Sequence, residues 1–374
     1  MLRLLLLSLV LAGSASAQLA TLSGVVRDAE GAPLPGTNVY LSGTTFGDAA
    51  DAQGRYQIAN IPPGAYRLVG SLIGFGVEER SLRLTPDQQA RVDLTLTETV
   101  SSLGDVTVEG SYDRNWERRY GQFVHAFVGE SENADRTRIL NPEVLSFRQR
   151  WGTLHAEAAA PLVIENRALG YRITYDLVEF EANSTQVAYD GGERFEELAP
   201  ADDAEAERWR LARDKAYRGS MTHLLQAMMA GTEHAEGFRF EQPVRQTSGA
   251  RPRLRDLSEP AMQTHQNGWG TLHVRDRMHV VYVDEPEEPR YISSRWFSER
   301  ARTPDAFQRS SLTVDGVSAR IDPQGTPEDP YAVTAAGHMS FERLADRVPE
   351  GYRPDDLYRP SDFDRPGALL RDDL

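Results

Sequence analysis

The chain has 374 residues, with 41 basic and 56 acidic side chains and a formal net charge of −15 at pH 7. This acidity argues against nucleic acid and anionic membrane surfaces as partners, because both attract basic proteins. Cysteine is absent, which excludes disulfides, thiolate metal ligands, a cysteine nucleophile and the lipidated cysteine of a bacterial lipoprotein. We therefore expect a fold stabilised by packing and divided into two or three domains.

Residues 1–17 have the features of a secretory signal peptide in their usual order. Arg3 precedes an apolar run from Leu4 to Ala12, and the small residues Ala15-Ser16-Ala17 form a cleavage site. The run is too short to remain as a membrane-spanning helix, which needs about 20 apolar residues. We expect an exported protein that begins at Gln18, has no transmembrane segment and is periplasmic or associated with the outer membrane.

Residues 18–98 have the pattern of short β-strands separated by turns. Apolar residues alternate along the segment that contains Val92, Leu94 and Leu96, which is typical of a half-buried strand. Gly54 and the neighbouring polar residues form a turn between two such segments. Many short strands at this spacing predict an all-β sandwich or barrel.

The succession of turns in this segment resembles the carboxypeptidase-regulatory-like domain of exported Bacteroidota-type proteins. The resemblance rests on Gly31–Val39, Asp51–Tyr56, Pro63–Tyr66 and Ile73–Phe75, in that order. It implies a seven-stranded, transthyretin-like sandwich. The domain is an accessory module of metallocarboxypeptidases and carries none of their catalytic residues, so the resemblance implies no enzymatic activity here.

A polar linker is predicted at residues 99–110. Its segment Leu103–Gly110 resembles the piece that joins this kind of domain to the plug of TonB-dependent outer-membrane receptors. The residues that follow are too few for the remainder of such a receptor. We therefore do not expect this chain to be a receptor of that class.

Residues 111–350 are predicted to form an α+β region, and residues 351–374 a polar tail. Apolar residues spaced as on one helix face predict a helix over Asn115–Phe127. A second helix is predicted from Glu205 to Met229, with Gly231 as its C-terminal stop. An Arg/Pro-rich stretch from Gln242 to Pro260 predicts an irregular connection.

Strands are predicted before and after the second helix. Their bounds are Val144–Arg148, Leu154–Ala158, Leu162–Glu165, Tyr171–Phe180, Gly270–Val274, His279–Val283, Arg290–Phe297, Ser311–Val314 and Ser318–Asp322. The pentapeptide Trp-Gly-Thr-Leu-His occurs at residues 151–155 and again at 269–273. The repetition is compatible with equivalent strands in a duplicated sheet, although the flanking residues do not match.

The C-terminal region is also similar to uncharacterised exported proteins that share this architecture. The similarity is carried by Pro161–Tyr171, Tyr217–Leu225 and Arg343–Pro349. It implies location and architecture, and it implies no particular activity.

The sequence contains none of the common catalytic motifs. None of the eight histidines begins a zinc-peptidase spacing. Serine-hydrolase elbows, phosphate-binding loops and dinucleotide-binding loops are absent as well. We therefore assign no catalytic residue and expect no metal and no cofactor.

Two residues are retained as candidates. His223 follows a Gly-Ser pair in the second predicted helix, and the alternative to a functional role is a packing histidine bonded to the backbone. Glu165 stands at the end of a predicted strand, where loops carry function. Its alternative is a turn residue in an ion pair with Arg167.

Three hypotheses about function remain. The first is a non-catalytic exported envelope protein, whose sandwich is an interaction module and whose C-terminal region binds an unidentified envelope partner or a ligand. The second is a hydrolase with a carboxylate and histidine site in the C-terminal region, which requires a pocket with convergent carboxylates and a raised pKa. The third is glycan or peptide binding through the aromatic residues Trp269, Tyr291 and Trp296.

Overall fold

The computed structural model describes most of the chain from Leu19 onward. The described ranges are 19–99, 114–184, 186–244, 253–256, 261–265, 268–274, 277–293, 307–329 and 331–354. The predicted signal peptide, nearly all of the predicted linker and most of the predicted polar tail lie outside them. Within these ranges no helix has the length and apolar character needed to cross a membrane.

The N-terminal region is an all-β sandwich of two facing sheets. Its strands are β1 (Ala20–Arg27), β2 (Asn38–Leu41), β3 (Gly47–Ala49), β4 (Arg55–Ile61), β5 (Gly64–Ser71), β6 (Glu78–Leu84), β7 (Gln89–Arg91) and β8 (Leu94–Thr95). One sheet has the order β4-β1-β7, with β8 also paired to β1, and the other has the order β3-β2-β5-β6. Both β7 and β8 run parallel to β1, so the predicted count of seven corresponds to this sandwich only if they are taken as one interrupted strand.

The core of the sandwich follows from alternation along its strands. In β1 every second residue is buried, including Leu22. Leu41, Leu68 and Leu94 contribute to the same apolar cluster. The opposite faces carry polar residues, as expected where one side of each sheet packs on the other.

The C-terminal region mixes helices with strands around two further apolar cores. The first core is formed by α1 (Arg114–Phe127), β9 (Thr137–Ile139), β10 (Leu145–Arg150), β11 (Thr153–Ala158), β12 (Leu162–Asn166), β13 (Tyr171–Ala182), β14 (Val187–Glu197) and α2 (Asp203–Tyr217). Strand β13 pairs with β11, β12 and β14. On α1, Phe123 and Phe127 are fully buried, and their rings contact those of Phe180 and Tyr175 of β13 in tilted and edge-on arrangements, as the predicted apolar stripe requires.

The later elements include those of the second core. They are α3 (Met221–Ala230), β15 (Phe238–Val244), β16 (Arg253–Asp256), β17 (Met262–Thr264), β18 (Gly270–His273), β19 (Met278–Tyr282), α4 (Pro289–Ser293), β20 (Gln308–Val314), β21 (Ser318–Ile321), β22 (Val333–Gly337) and α5 (His338–Phe341). The second core is formed by α3, α5 and all of these strands except β16. The strands form a five-stranded sheet of order β16-β15-β19-β20-β22 and a three-stranded sheet of order β17-β18-β21. Leu224, Leu272 and Leu312 are fully buried between them.

The predicted helix from Glu205 to Met229 is two helices. Helix α2 ends at Tyr217 and α3 begins at Met221. Between them Gly219 has a φ of +72°, and Ser220 caps α3 by accepting a hydrogen bond from the backbone N–H of His223 at 3.2 Å. Because the helical spacing of apolar residues continues across Gly219 and Ser220, the sequence analysis did not recognise these residues as the end of one helix and the start of the next.

The predicted strand Arg290–Phe297 is also wrong in its described part, because Pro289–Ser293 is the short helix α4. Pro289 lies in the first helical turn, where a backbone N–H has no acceptor within the helix, so the proline costs no hydrogen bond there. The stretch predicted as irregular contains strand structure, since β15 extends to Val244 and pairs with β16.

The sandwich contacts the first C-terminal core through a buried carboxylate. Asp176 lies on β13, is 4% exposed, and accepts hydrogen bonds from the hydroxyls of Tyr40 and Ser71. The Ser71 bond is 2.5 Å long. Gly192 on β14 makes this approach possible, since a Cβ there would lie 2.5 Å from the Tyr40 hydroxyl oxygen.

The sandwich also extends the free edge of β14. The N–H of Gly43 donates to the carbonyl of Glu193 at 2.7 Å, and the N–H of Phe195 donates to the carbonyl of Thr44 at 2.9 Å. Thr44 and Arg194 thereby form a parallel bridge. The contact is a short strand addition within one chain.

A second contact joins the sandwich to the turn after β21. The carboxylate of Asp322 accepts a hydrogen bond from the N–H of Ala65 at 3.0 Å. The Gln324 amide donates to the carbonyl of Pro63 at 3.1 Å and to the hydroxyl of Tyr66 at 2.8 Å. The sandwich is therefore fixed to both C-terminal cores.

Glu350 lies where these contacts meet. Its backbone N–H donates to the carbonyl of Gly43 at 2.8 Å. Burial, and secondly the nearby Glu193 carboxylate, raise the pKa of its carboxyl to about 8. At neutral pH the carboxyl of Glu350 is therefore mostly protonated when the sandwich contacts the C-terminal cores.

We expect Asp176→Ala to lower the free energy of unfolding by about 3 kcal/mol, because two buried hydroxyls lose their acceptor. The control is Asp135→Ala. Asp135 also accepts two hydrogen bonds, both from Arg290, but it is exposed, so its loss should cost less than about 1 kcal/mol. Urea unfolding measures both.

A second experiment repeats Asp176→Ala in a chain that already carries Tyr40→Phe and Ser71→Ala. The loss of unfolding free energy should then be smaller, because the hydroxyl partners are gone. An unchanged loss would contradict the role of these bonds.

A pH dependence follows from Glu350. A carboxyl whose pKa is raised on folding stabilises the protein below its ordinary pKa, and this stabilisation is lost as pH rises toward about 8. Glu350→Gln keeps a neutral side chain at every pH. We expect it to match the wild type at pH 5 and to exceed its unfolding free energy by about 1–3 kcal/mol at pH 9, as measured by urea unfolding at each pH. Glu143→Gln, at an exposed position, controls for the loss of a charge; equal behaviour of the two variants would refute the assignment.

Candidate functional site

The structure accounts for His223 within the second core. It is 1% exposed and its ring contacts those of Tyr217, Phe238 and Tyr282. Its Nδ1 accepts a hydrogen bond from the N–H of Gly219 at 3.1 Å, so its Nε2–H donates to the Glu236 carboxylate at 2.9 Å. This bond lowers the pKa of Glu236. Both ring nitrogens are thus hydrogen-bonded within the protein.

Glu165 lies on β12, in the sheet of the first core. Its side chain is 16% exposed and forms ion pairs with Arg167 at 2.5 Å and Arg172 at 3.7 Å. These arginines neutralise its charge. Glu165 and His223 have different partners in different cores, and the structure does not bring them together.

A cluster of acids that the sequence analysis did not identify lies around the end of α2. Glu285 and Glu288 follow β19, Glu342 follows α5, and Asp346 lies in the short turn after it. Lys215, the single lysine of the chain, is 3.8 Å from Glu288. We call these four carboxylates the acidic cluster.

Burial raises the pKa of every carboxyl in the acidic cluster. The pKa of Glu285 rises to about 7, and that of Glu342 rises because of burial and the neighbouring Asp346 charge. Asp346 accepts hydrogen bonds from Ser131 at 2.7 Å and Asn133 at 2.9 Å. This acid therefore connects the loop after α1 to the C-terminal turn.

His338 lies beside the acidic cluster and is 3% exposed. Its Nε2 accepts from the N–H of Glu288 at 3.4 Å, and its Nδ1 is 4.0 Å from a Glu342 oxygen. Burial lowers its pKa to about 4, so the ring is neutral at physiological pH. Among the described side chains, no group of three or more His, Asp or Glu has the geometry to hold a metal ion.

A cleft lies elsewhere, between α1, the β10–β11 hairpin and the end of β13. It has a volume of about 310 Å³, which is at the lower end of the range for small-ligand pockets. Its lining residues are Gln122, Ala126, Gln149, Gly152, Leu154, Ala182, Asn183 and Ser184. We call it the amide groove, because three of its polar side chains are carboxamides and none of its lining residues is titratable.

Trp151 directly precedes Gly152, one of the residues that line the amide groove. It is 92% exposed and occupies the two-residue turn between Arg150 and Thr153, which pair across the hairpin. Trp151 has a φ of +53° and Gly152 a φ of +85°, which are the signs of a type I′ turn. Asn, Asp or Gly normally fills the first of these positions, and a tryptophan there costs about 1 kcal/mol in backbone strain.

The aromatic residues proposed from the sequence occupy different environments. Trp269 is 6% exposed, and its ring is covered by the guanidinium groups of Arg83 at 4.0 Å and Arg320 at 4.9 Å. Tyr291 packs against His338 and Phe341. Trp296 lies outside the described residues. Sequence reasoning selected Trp269 and overlooked Trp151, although both begin the same pentapeptide.

Known proteins resemble parts of this chain. A TonB-dependent receptor of Formosa agariphila is 35% identical over 88 residues, which are 24% of this chain and 8% of that receptor. The chain therefore spans less than a tenth of the length of this relative. The likeness gives no information about residues outside the shared segment.

Two solved structures have local likenesses. A chain of a type II cohesin–X-dockerin complex from Acetivibrio cellulolyticus is 20% identical, with 21% of this chain and 58% of that chain covered and a TM-score of 0.19. A protein of Bacteroides uniformis, provisionally described as carbohydrate binding, is 10% identical, with 50% and 69% covered and a TM-score of 0.19. These TM-scores are too low to support an argument about function.

The family comparison agrees with the turns in the sequence and with the sandwich in the structure. The match covers residues 21–97, which extend from β1 to just beyond β8. Residues 21–97 form a carboxypeptidase regulatory-like domain.

Proposed function

We propose that the chain is a non-catalytic protein of the bacterial cell envelope, with the sandwich as an interaction module and the C-terminal region as a partner- or ligand-binding unit. The observation that carries this proposal is the composition of the amide groove. Its lining offers neutral hydrogen-bonding groups and apolar surface, which can hold a ligand. It offers no acid, base or nucleophile pair with which to transform one.

The titratable groups that could perform chemistry have structural partners. His223 is enclosed with Glu236, and Asp346 is held by Ser131 and Asn133. The acidic cluster is the feature that favours the alternative of a hydrolase, since its carboxyls converge and have raised pKa values. None of its members lines the amide groove, and the bonds of Asp346 to Ser131 and Asn133 favour a role in joining the loop after α1 to the C-terminal turn.

The sandwich is proposed to be transthyretin-like, with seven strands if β7 and β8 count as one, and to act as a fixed part of the binding unit. Its contacts through Asp176, the β14 edge and Asp322 support this role, because a freely tethered module would not need them. The two C-terminal cores support a division of residues 111–350 into two packed units. We keep residues 18–98 and 99–110 as the proposed bounds of the sandwich and linker.

The proposed location is the periplasm or the outer membrane. It rests on the signal-peptide features of residues 1–17 and on the resemblance of the N-terminal part to a segment of an outer-membrane receptor. The proposed partner is an envelope protein. An acidic exterior suits solubility there and disfavours nucleic acid.

The test of binding against catalysis uses the full chain with pools of polysaccharides and peptides. We expect recovered ligands to be chemically unchanged by mass spectrometry after prolonged incubation. A hydrolase would release products, and Glu285→Gln would abolish their release while Glu143→Gln, at an exposed site, would not. That pattern would overturn the proposal.

Export makes a separate prediction. Expressed in a bacterial host with the complete N-terminus, the protein should be cleaved between Ala17 and Gln18, as read by intact mass and N-terminal sequencing of the periplasmic fraction. Ala17→Leu should accumulate precursor because the cleavage site needs a small residue, whereas Leu19→Ala should be processed normally. An uncleaved, cytoplasmic wild type would refute export.

A further inference from the structure

We propose that the amide groove and Trp151 form a binding site for a neutral carbohydrate chain, an inference that rests on the binding role proposed above and names its ligand class. The site combines an exposed indole face with hydrogen-bonding side chains a short distance along the same hairpin. A sugar ring has an apolar face of C–H groups and a rim of hydroxyls. Its two kinds of surface match the two parts of this site.

The first step of the argument is the conformation of Trp151. A solitary exposed apolar residue needs no explanation in general, and Ile73 and Val317 are examples at 74% and 69% exposure. In their turns a neighbouring glycine, Gly74 or Gly316, takes the positive φ. Trp151 instead takes a positive φ itself and holds its ring in water, so it adds strain without burying surface. Strain of this kind concentrates at ligand sites.

The second step is the chemistry of the groove. Gln149 lies two residues before Trp151 and Gly152 directly after it, and Gln122 lines the same groove from α1. The Gln122 Oε1 is buried and has no hydrogen-bond partner among the described residues. Because this oxygen has almost no accessible surface, a ligand hydroxyl would donate to it once the Gln122 side chain turns toward the groove. Carboxamides also bind hydroxyls in either direction, because each has a donor and an acceptor.

The third step is charge. The lining of the groove carries no charge. The nearest charged side chain in the hairpin is that of Arg150 at the end of β10, directly before Trp151, and Arg148 farther along that strand pairs with Glu157. The single charge of Arg150 is opposed by the net acidity of the chain. The chain as a whole carries a formal charge of −15. An anionic glycan would be repelled by the overall field, and a cationic peptide would find no carboxylate in the groove lining. A neutral glycan meets neither obstacle.

The test is isothermal titration calorimetry of the full chain with laminarin, xylan and mannan as neutral probes, and with alginate and a peptide digest as the other classes. We expect at least one neutral polysaccharide to bind and alginate not to bind. Trp151→Asn should weaken the binding at least tenfold, which is 1.4 kcal/mol. Its unfolding midpoint should stay unchanged or rise, because Asn suits the type I′ turn.

The controls separate this inference from the proposed function. Ile73→Asn removes another exposed apolar side chain from a turn of the sandwich and should leave binding intact, whereas Gln122→Ala should weaken it. Failure of every neutral polysaccharide to bind, or full affinity in Trp151→Asn, would overturn the inference. Binding of the peptide digest alone would overturn it too, yet keep the binding role. Cleavage of a bound polysaccharide would instead overturn the non-catalytic role.

Discussion

The buried carboxylate of Asp176 is the interaction on which the arrangement of the molecule depends. Its two hydroxyl partners belong to the sandwich, while its own strand, β13, holds the first C-terminal core through Tyr175 and Phe180. An unpaired carboxylate in this position would be costly. If the sandwich separated from the first C-terminal core, the Asp176 carboxylate would therefore lose both of its hydrogen-bond donors. The same strand ends at Ala182, in the wall of the amide groove, so domain docking and groove geometry share one support.

Much of the fold could be predicted from the sequence, and the errors have physical causes. The strands β11, β12 and β13 lie within two residues of their predicted bounds because one face of each is apolar. Strand β14 was not predicted, since Val187–Glu197 is mostly polar and contains Gly191-Gly192. It is a strand because β13 pairs along its length and the sandwich approaches at the glycines. Such tertiary context overrides local β-propensity.

The candidate site was harder to predict than the fold. The acidic cluster joins residues distant in the chain, and nothing in their local sequence indicates that they meet. The repeated pentapeptide shows the limit most clearly: Trp151 is exposed at a hairpin tip, whereas Trp269 is enclosed by two arginines, one of them from the sandwich. The same local sequence therefore does not determine whether a tryptophan is exposed or buried. Its environment depends on residues that are distant in the chain and become neighbours on folding. His223 was located correctly on a helix, but its partners Gly219 and Glu236 could be identified only in three dimensions.

The pairing of Gly43 and Thr44 with β14 has a consequence for pairing between copies of the chain. An unpaired strand edge is a template for intermolecular pairing, and soluble proteins protect such edges with charges, bulges or covering segments. Here the N-terminal domain covers part of the β14 edge. A C-terminal fragment produced alone would present that edge to other copies of itself. The sandwich thus covers part of an edge through which the C-terminal region could otherwise pair with another copy of itself.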